Sequence, residues 1–165
     1  MTDWKRRSHE EKCLLNPSFC AVLLWQAALA RQQGQHSLLS FEESFLILPF
    51  TLDRQLREQL PRSSRTSLPV WLTQYPLAKG KLTMQTRLLV PYTKESLLFA
   101  GTHAFISVNS DGLRADQSRA KSVQSMISTS TDEVQDCAKK ARFLGRWFAE
   151  VGTPSTVFAL LGVRP

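Results

Sequence analysis

Apolar residues in this chain recur at the spacing of helix faces almost throughout, and they change period at one place, "AFISVNSDGLRAD", residues 104–116. There Phe105, Ile106 and Val108 favour extended backbone, and Ser110-Asp111-Gly112 is a hairpin-turn signal. The pattern dictates a mainly α fold with one small β-hairpin. A helix followed at once by a hairpin also admits a winged-helix-like arrangement. At 165 residues the chain is long enough to bury a core without staples, so a single helical domain over 1–165 is expected.

The helices announce themselves by their ends. In "NPSFCAVLLWQAALARQQGQ", Asn16 is a good N-cap because its side-chain oxygen accepts an amide hydrogen of the first turn, and Pro17 suits the first helical position. Phe19, Val22, Leu23, Gln26, Ala27 and Ala30 then follow helical spacing. Ser40, with Glu42 and Glu43 behind it, opens a second helix. Pro49 interrupts that helix, which predicts a kink or two short helices ending on the stripe Leu52, Leu56, Leu60. A third, short helix is expected between Ser67 and Pro76. Two more should be split around Pro91, the later one using Leu97, Leu98 and Ala100 as its apolar side. Residues 117–131 are polar and rich in Ser and Thr, and read as a flexible internal linker containing a weak helix. Thr131 caps a last long helix, Asp132–Val151, whose first turn carries Asp132 and Glu133. Pro154 opens a short apolar helix after it.

The net charge is +7, and its distribution matters more than its total. Between Pro61 and Lys94 stand Arg62, Arg65, Lys79, Lys81, Arg87 and Lys94, with no Asp or Glu. A one-signed stretch of this kind suits an acidic partner, nucleic acid or an acidic protein face, or a solvated surface that lacks acids. Nothing approaches eighteen consecutive apolar residues, so no membrane helix is expected. The start, "MTDWKRRSHEEKCLLNPSFC", has no apolar h-region of a secretory leader. Cys13, Cys20 and Cys137 have no regular spacing, which suits reduced thiols and a cytoplasmic chain.

Signatures of chemistry are missing. Gly80-Lys81 lacks the earlier glycine of a phosphate-binding loop, and no G-x-G-x-x-G occurs. His9 and Cys13, with Cys20 and His36 further off, lack the paired spacings of a zinc site. His103, near Asp111 and Asp116, has no nucleophile elbow to serve. Glu42-Glu43 and Asp132-Glu133 sit where helix starts ordinarily carry acids. No enzyme, cofactor or metal is expected.

The long helix Asp132–Val151 has three faces. Val134, Ala138, Ala141, Leu144, Phe148 and Val151 form a core stripe. Beside it run Lys139, Arg142 and Arg146, and then Phe143 with Trp147. Arg and Trp are the residue types of interface hot spots, so Arg142, Phe143, Arg146, Trp147 and the near-terminal Arg164 are candidates for binding a partner.

Four stretches in the same order, "LLNPSFCAVLLW", "LPRSSRTSLPVWL", "LLVPYTKESLLFA" and "KARFLGRWFAEVGTPSTVFALLGVRP", resemble the middle-component family of bacterial three-component ABC systems, which includes Lamassu-type anti-phage defence. The matching positions are Asn16, Pro17, Phe19, Arg142, Phe143, Gly145, Arg146, Trp147, Gly162 and Arg164. The resemblance implies a small non-catalytic subunit between an SMC-like ABC ATPase and an effector such as a nuclease, in a complex that senses foreign or aberrant DNA. It carries no family active site. A different reading, from the basic 61–94 segment and the hairpin with Arg114, is a free-standing winged-helix-like protein that contacts double-stranded DNA directly.

Overall fold

The structure is a computed structural model and describes residues 7–35 and 37–163. In chain order the elements are α1 (His9–Leu14), α2 (Pro17–Gln35), α3 (Phe41–Leu52), α4 (Arg54–Gln59), α5 (Leu68–Gln74), α6 (Ala78–Thr102), β1 (Ile106–Asn109), β2 (Gly112–Ala115), a 3-10 turn (Gln117–Arg119), α7 (Ala120–Ser128), α8 (Asp132–Val151) and α9 (Pro154–Leu161). The fold class is mainly helical with one antiparallel hairpin, as the spacing predicts.

Helix α2 is the centre of the molecule. Every residue from Cys20 to Arg31 is buried, so the helix is enclosed all the way round. Its start is fixed by Asn16, whose Oδ1 accepts from the Ser18 amide at 2.9 Å. Helices α3, α6 and α8 pack around it, with β2 on a further side. The closest approach is to α8 at Gly145. A β-carbon there would overlap the carbonyl oxygen of Ala27 and stand 2.8 Å from its carbonyl carbon. Glycine at this crossing lets the two backbones touch.

Two proline expectations need adjustment. Helix α3 runs through Pro49 and stops at Asp53, whose side chain accepts from the Leu56 amide at 3.0 Å and caps α4. The break into two short helices therefore comes from a capping residue four positions after the proline. Pro91 does not split its segment at all, and α6 is a single helix of 25 residues. Proline removes the amide that would pair with the carbonyl of Arg87, but both residues face solvent, where water satisfies that carbonyl.

The other ends follow their caps. Ser40 and Glu43 form a capping box, each bonding the other's backbone amide at 3.1 Å. Glu43 is also buried against Arg31, at 3.3 Å. Thr131 caps α8 through the Val134 amide, and α8 spans the residues expected. The 117–131 segment holds the 3-10 turn and α7, whose Val123 and Ile127 are buried.

The hairpin pairs Ile106 with Ala115 and Asn109 with Gly112. It is tied back to the core at three points. The Leu113 amide donates to the carbonyl of Leu39 at 2.8 Å, Trp25 Nε1 donates to that of Asp116 at 3.1 Å, and Gln32 bonds both backbone groups of Ala115. Gly112 has φ 128, and a side chain there would strike the Leu39 carbonyl. Among the described residues no helix is long and apolar enough to cross a membrane.

Candidate docking surface

His103 and the acids near it in sequence make hydrogen bonds within the chain. His103 lies against Phe99, ring centroids 4.0 Å apart, with Nδ1 2.9 Å from the Phe99 carbonyl oxygen. Asp116 accepts from the Ser118 amide and hydroxyl at 3.0 and 2.8 Å, and Asp111 from the Ser110 hydroxyl. Burial pushes the Cys20 thiol up to about 12 and that of Cys137 up to about 11, so both stay protonated at neutral pH. Arg57, almost fully buried, donates to the Thr51 carbonyl at 2.7 Å, to Asp136 at 2.8 Å and to Glu133 at 2.9 Å, tying the end of α3 and α4 to the start of α8. Among the described residues no three His, Cys, Asp or Glu side chains gather as metal ligands. Of the sequence candidates for metal, His36 and the side chain of Cys13 lie outside the described residues.

The closing stretch divides between core and rim. Trp147 is 0% exposed and cannot meet a partner in this fold, which corrects the expectation from its Arg/Trp stripe. Its ring stands edge-on to Trp71 at 5.9 Å, and its Nε1 donates to the carbonyl of Thr66 at 2.8 Å. That bond pins the α4–α5 connection onto α8. Phe143 is half-buried on the same cluster, 5.4 Å from Trp147. Arg142 and Arg146 are half-buried, and the aliphatic part of Arg146 runs beside Gly34 at the C-terminal end of α2, where a cation complements the helix dipole. Arg164 lies outside the described residues.

The six cations of the 61–94 segment do not behave as one group. Lys81 turns inward and pairs with Asp53 at 2.8 Å, so its charge is spent. Arg62 and Arg65 are exposed on the α4–α5 connection. Arg62 is near enough to α8 to repel Lys140, whose pKa is held below the usual lysine range mainly by burial. Lys79, Arg87 and Lys94 are exposed on α6 and, at 3.6 residues per turn, fall within an arc of about 80°.

Next to that arc lies a row of exposed apolar side chains. Leu77 at the N-cap of α6 is 88% exposed, Met84 54%, Leu88 59% and Leu98 60%. Together with Pro91 they line a neighbouring arc, also about 80° wide. Leu98 was expected on the buried side; Leu97 and Ala100 are there, and Leu98 is not. The single acid of α6, Glu95, is bonded to Arg7. Glu95 falls in the same arc as Leu77, so the outer face of α6 is a row of apolar side chains crossed by the Glu95–Arg7 pair, beside a row of cations and without an unpaired acid. The signal was present in the spacing 77, 84, 91, 98, but spacing alone does not tell a buried row from an exposed one.

An apolar groove of about 990 Å³ adjoins the other flank of α6, between α1, α2, α7 and α8, with Phe19, Leu89, Phe99, Val123 and Met126 in its walls.

Comparison with known families gives one finding: residues 4–165 match the ABC-three component (ABC-3C) system Middle Component 3 family. The match covers nearly the whole chain, and the chain belongs to this family. No curated protein and no solved structure matches it.

Proposed function

We propose that this middle component is the non-catalytic subunit that joins an SMC-like ABC ATPase to an effector, a nuclease being the expected kind, in a cytoplasmic bacterial complex of the Lamassu type. The complex would sense foreign or aberrant DNA and act against phage or plasmids. A component of a multi-component system has partner subunits, and the observation that carries the docking role is the outer face of α6. Four large apolar side chains stand in water there beside three cations. An exposed apolar row of this kind supports a contact with a partner. The thiols, His103 and Arg57 are engaged in the chain's own packing, which suits a subunit whose work is binding.

Co-expression with the ATPase and effector of its own system, followed by purification through this chain at low and high salt, tests the reading. A complex that survives high salt supports it. If the folded chain is recovered alone under both conditions, the reading is wrong.

Direct contact with double-stranded DNA is a second reading, favoured by the exposure of Arg62, Arg65, Lys79, Arg87 and Lys94 without an unpaired acid on α6. It requires binding by the isolated chain that falls steeply with salt. No binding at low salt removes it.

A further inference from the structure

We propose that the outer face of α6 seats one amphipathic helix of a partner subunit, whose apolar seam is bordered by acidic residues at seven-residue spacing. This rests on the docking role above and adds what kind of element docks. The exposed row recurs every seven residues at Leu77, Met84, Pro91 and Leu98, with Leu88 four after Met84. Seven residues fall just short of two helical turns, so such a row drifts by about 20° per repeat and tracks a partner helix wound gently around it. From Leu77 to Leu98 it extends roughly 32 Å at 1.5 Å per residue. Arg87 and Lys94 each stand three residues after a member of the row, and they too are seven apart. Cations flanking an apolar seam are the arrangement that selects acidic flanking positions across a helix pair.

Charge decides among the occupants. A second copy of this chain would bring Arg87 and Lys94 against its own cations, with the single acid of the helix already bonded to Arg7. A DNA duplex would satisfy the cations, but it would press four large apolar side chains toward phosphates that offer them nothing. An acid-bordered helix satisfies both rows together.

The test uses the chain co-expressed with the other two components of its system. The photo-crosslinker p-benzoylphenylalanine replaces Met84, Leu88 or Leu98 in turn. Crosslinks are expected to land on a helical segment of a partner subunit with an apolar 3.5-residue repeat and Asp or Glu on its flanks. The double variant Met84→Ser with Leu88→Ser should bind that subunit at least about tenfold more weakly. Its melting temperature should fall by only a few degrees, because both side chains are more than half exposed and serine is a slightly weaker helix former. If the wild-type complex assembles and the folded double variant assembles equally well, the proposal is overturned and the docking role stands. Crosslinks to DNA, to a second copy of the chain or to a segment without acidic flanks also overturn it. If no wild-type complex forms, the docking role fails and this inference falls with it.

Discussion

Replacing Gly145 with alanine adds one methyl group at the crossing of α2 and α8, and two effects of opposite sign then compete. Alanine is the better helix former, by about 1 kcal/mol in a helix interior. Against this, the new β-carbon would overlap the Ala27 carbonyl oxygen and stand 2.8 Å from its carbon and 3.0 Å from its Cα. All three are backbone atoms of a helix enclosed on every side, so no side chain can swing away. The two helices must part by about an ångström along the largest contact in the molecule. Overpacking of this kind costs typically 1–3 kcal/mol, and a rigid backbone neighbour puts it at the upper end or beyond. The net expectation is a loss of about 2 kcal/mol, which in a chain of this size lowers the melting temperature by roughly 4–8 °C. Circular dichroism during heating and urea titration measures it. Gly80→Ala is the control, since a β-carbon there meets nothing within 4 Å and the change should be neutral or stabilising. A Gly145→Ala protein as stable as its parent would refute the close approach of α2 and α8.

Other expectations concern side chains. Trp147→Ala removes a fully buried indole and the bond to Thr66, and should cost about 3–5 kcal/mol, whereas Arg142→Gln and Arg146→Gln should each stay within about 1 kcal/mol; urea midpoints separate the two classes, and equal effects would return Trp147 to the surface. Arg57→Leu should cost only about 1–2 kcal/mol, because Glu133 and Asp136 are partly exposed and rehydrate, and the Thr51 carbonyl, left with the weak Cys137 thiol donor at 3.3 Å, is the main loss; the same denaturation assay checks it. Cys20 and Cys137 should resist a thiol reagent at pH 8 in a folded Cys13→Ser background and react fully in urea. Both thiols have folded pKa values above the ordinary 9.0, at about 12 and about 11. The folded chain therefore keeps protons that the unfolded chain releases above pH 9. Their contribution to stability is complete below pH 9 and is lost as pH rises toward 11–12, so the urea midpoint should fall between pH 8 and pH 10.

What the sequence makes legible here is local. Asn16, Ser40, Ser67 and Thr131 each precede a helix, and three of the four make their capping bond, because a cap depends on residues two or three positions away. The hairpin is legible for the same reason. Pro91 misleads because its missing amide is written in the sequence, while the direction of the freed Arg87 carbonyl depends on α2 and α3, which cover the opposite side of α6. Trp147 misleads in the other direction. An aromatic pair at i, i+4 has the same spacing whether Trp71 and Thr66 lie over it or water does. The exposed apolar row on α6 is hidden for a related reason: Leu97 and Leu98 are adjacent and chemically identical, and only distant packing makes one core and the other surface.

The enclosure of α2 also sets a schedule for biosynthesis. The helix is finished at Gln35, but the partner that closes its longest side ends at Val151, 116 residues later. At translation rates of 5–20 residues per second, the most completely enclosed helix of the chain waits roughly 6–23 s for its cover. Throughout that interval it is a substrate for holding chaperones and for collisions with other nascent chains. A ribosome that stalls before Thr131 releases a product that lacks α8 and leaves that side of α2 open, so intact middle component and its truncated fragments should part company in the cell by solubility.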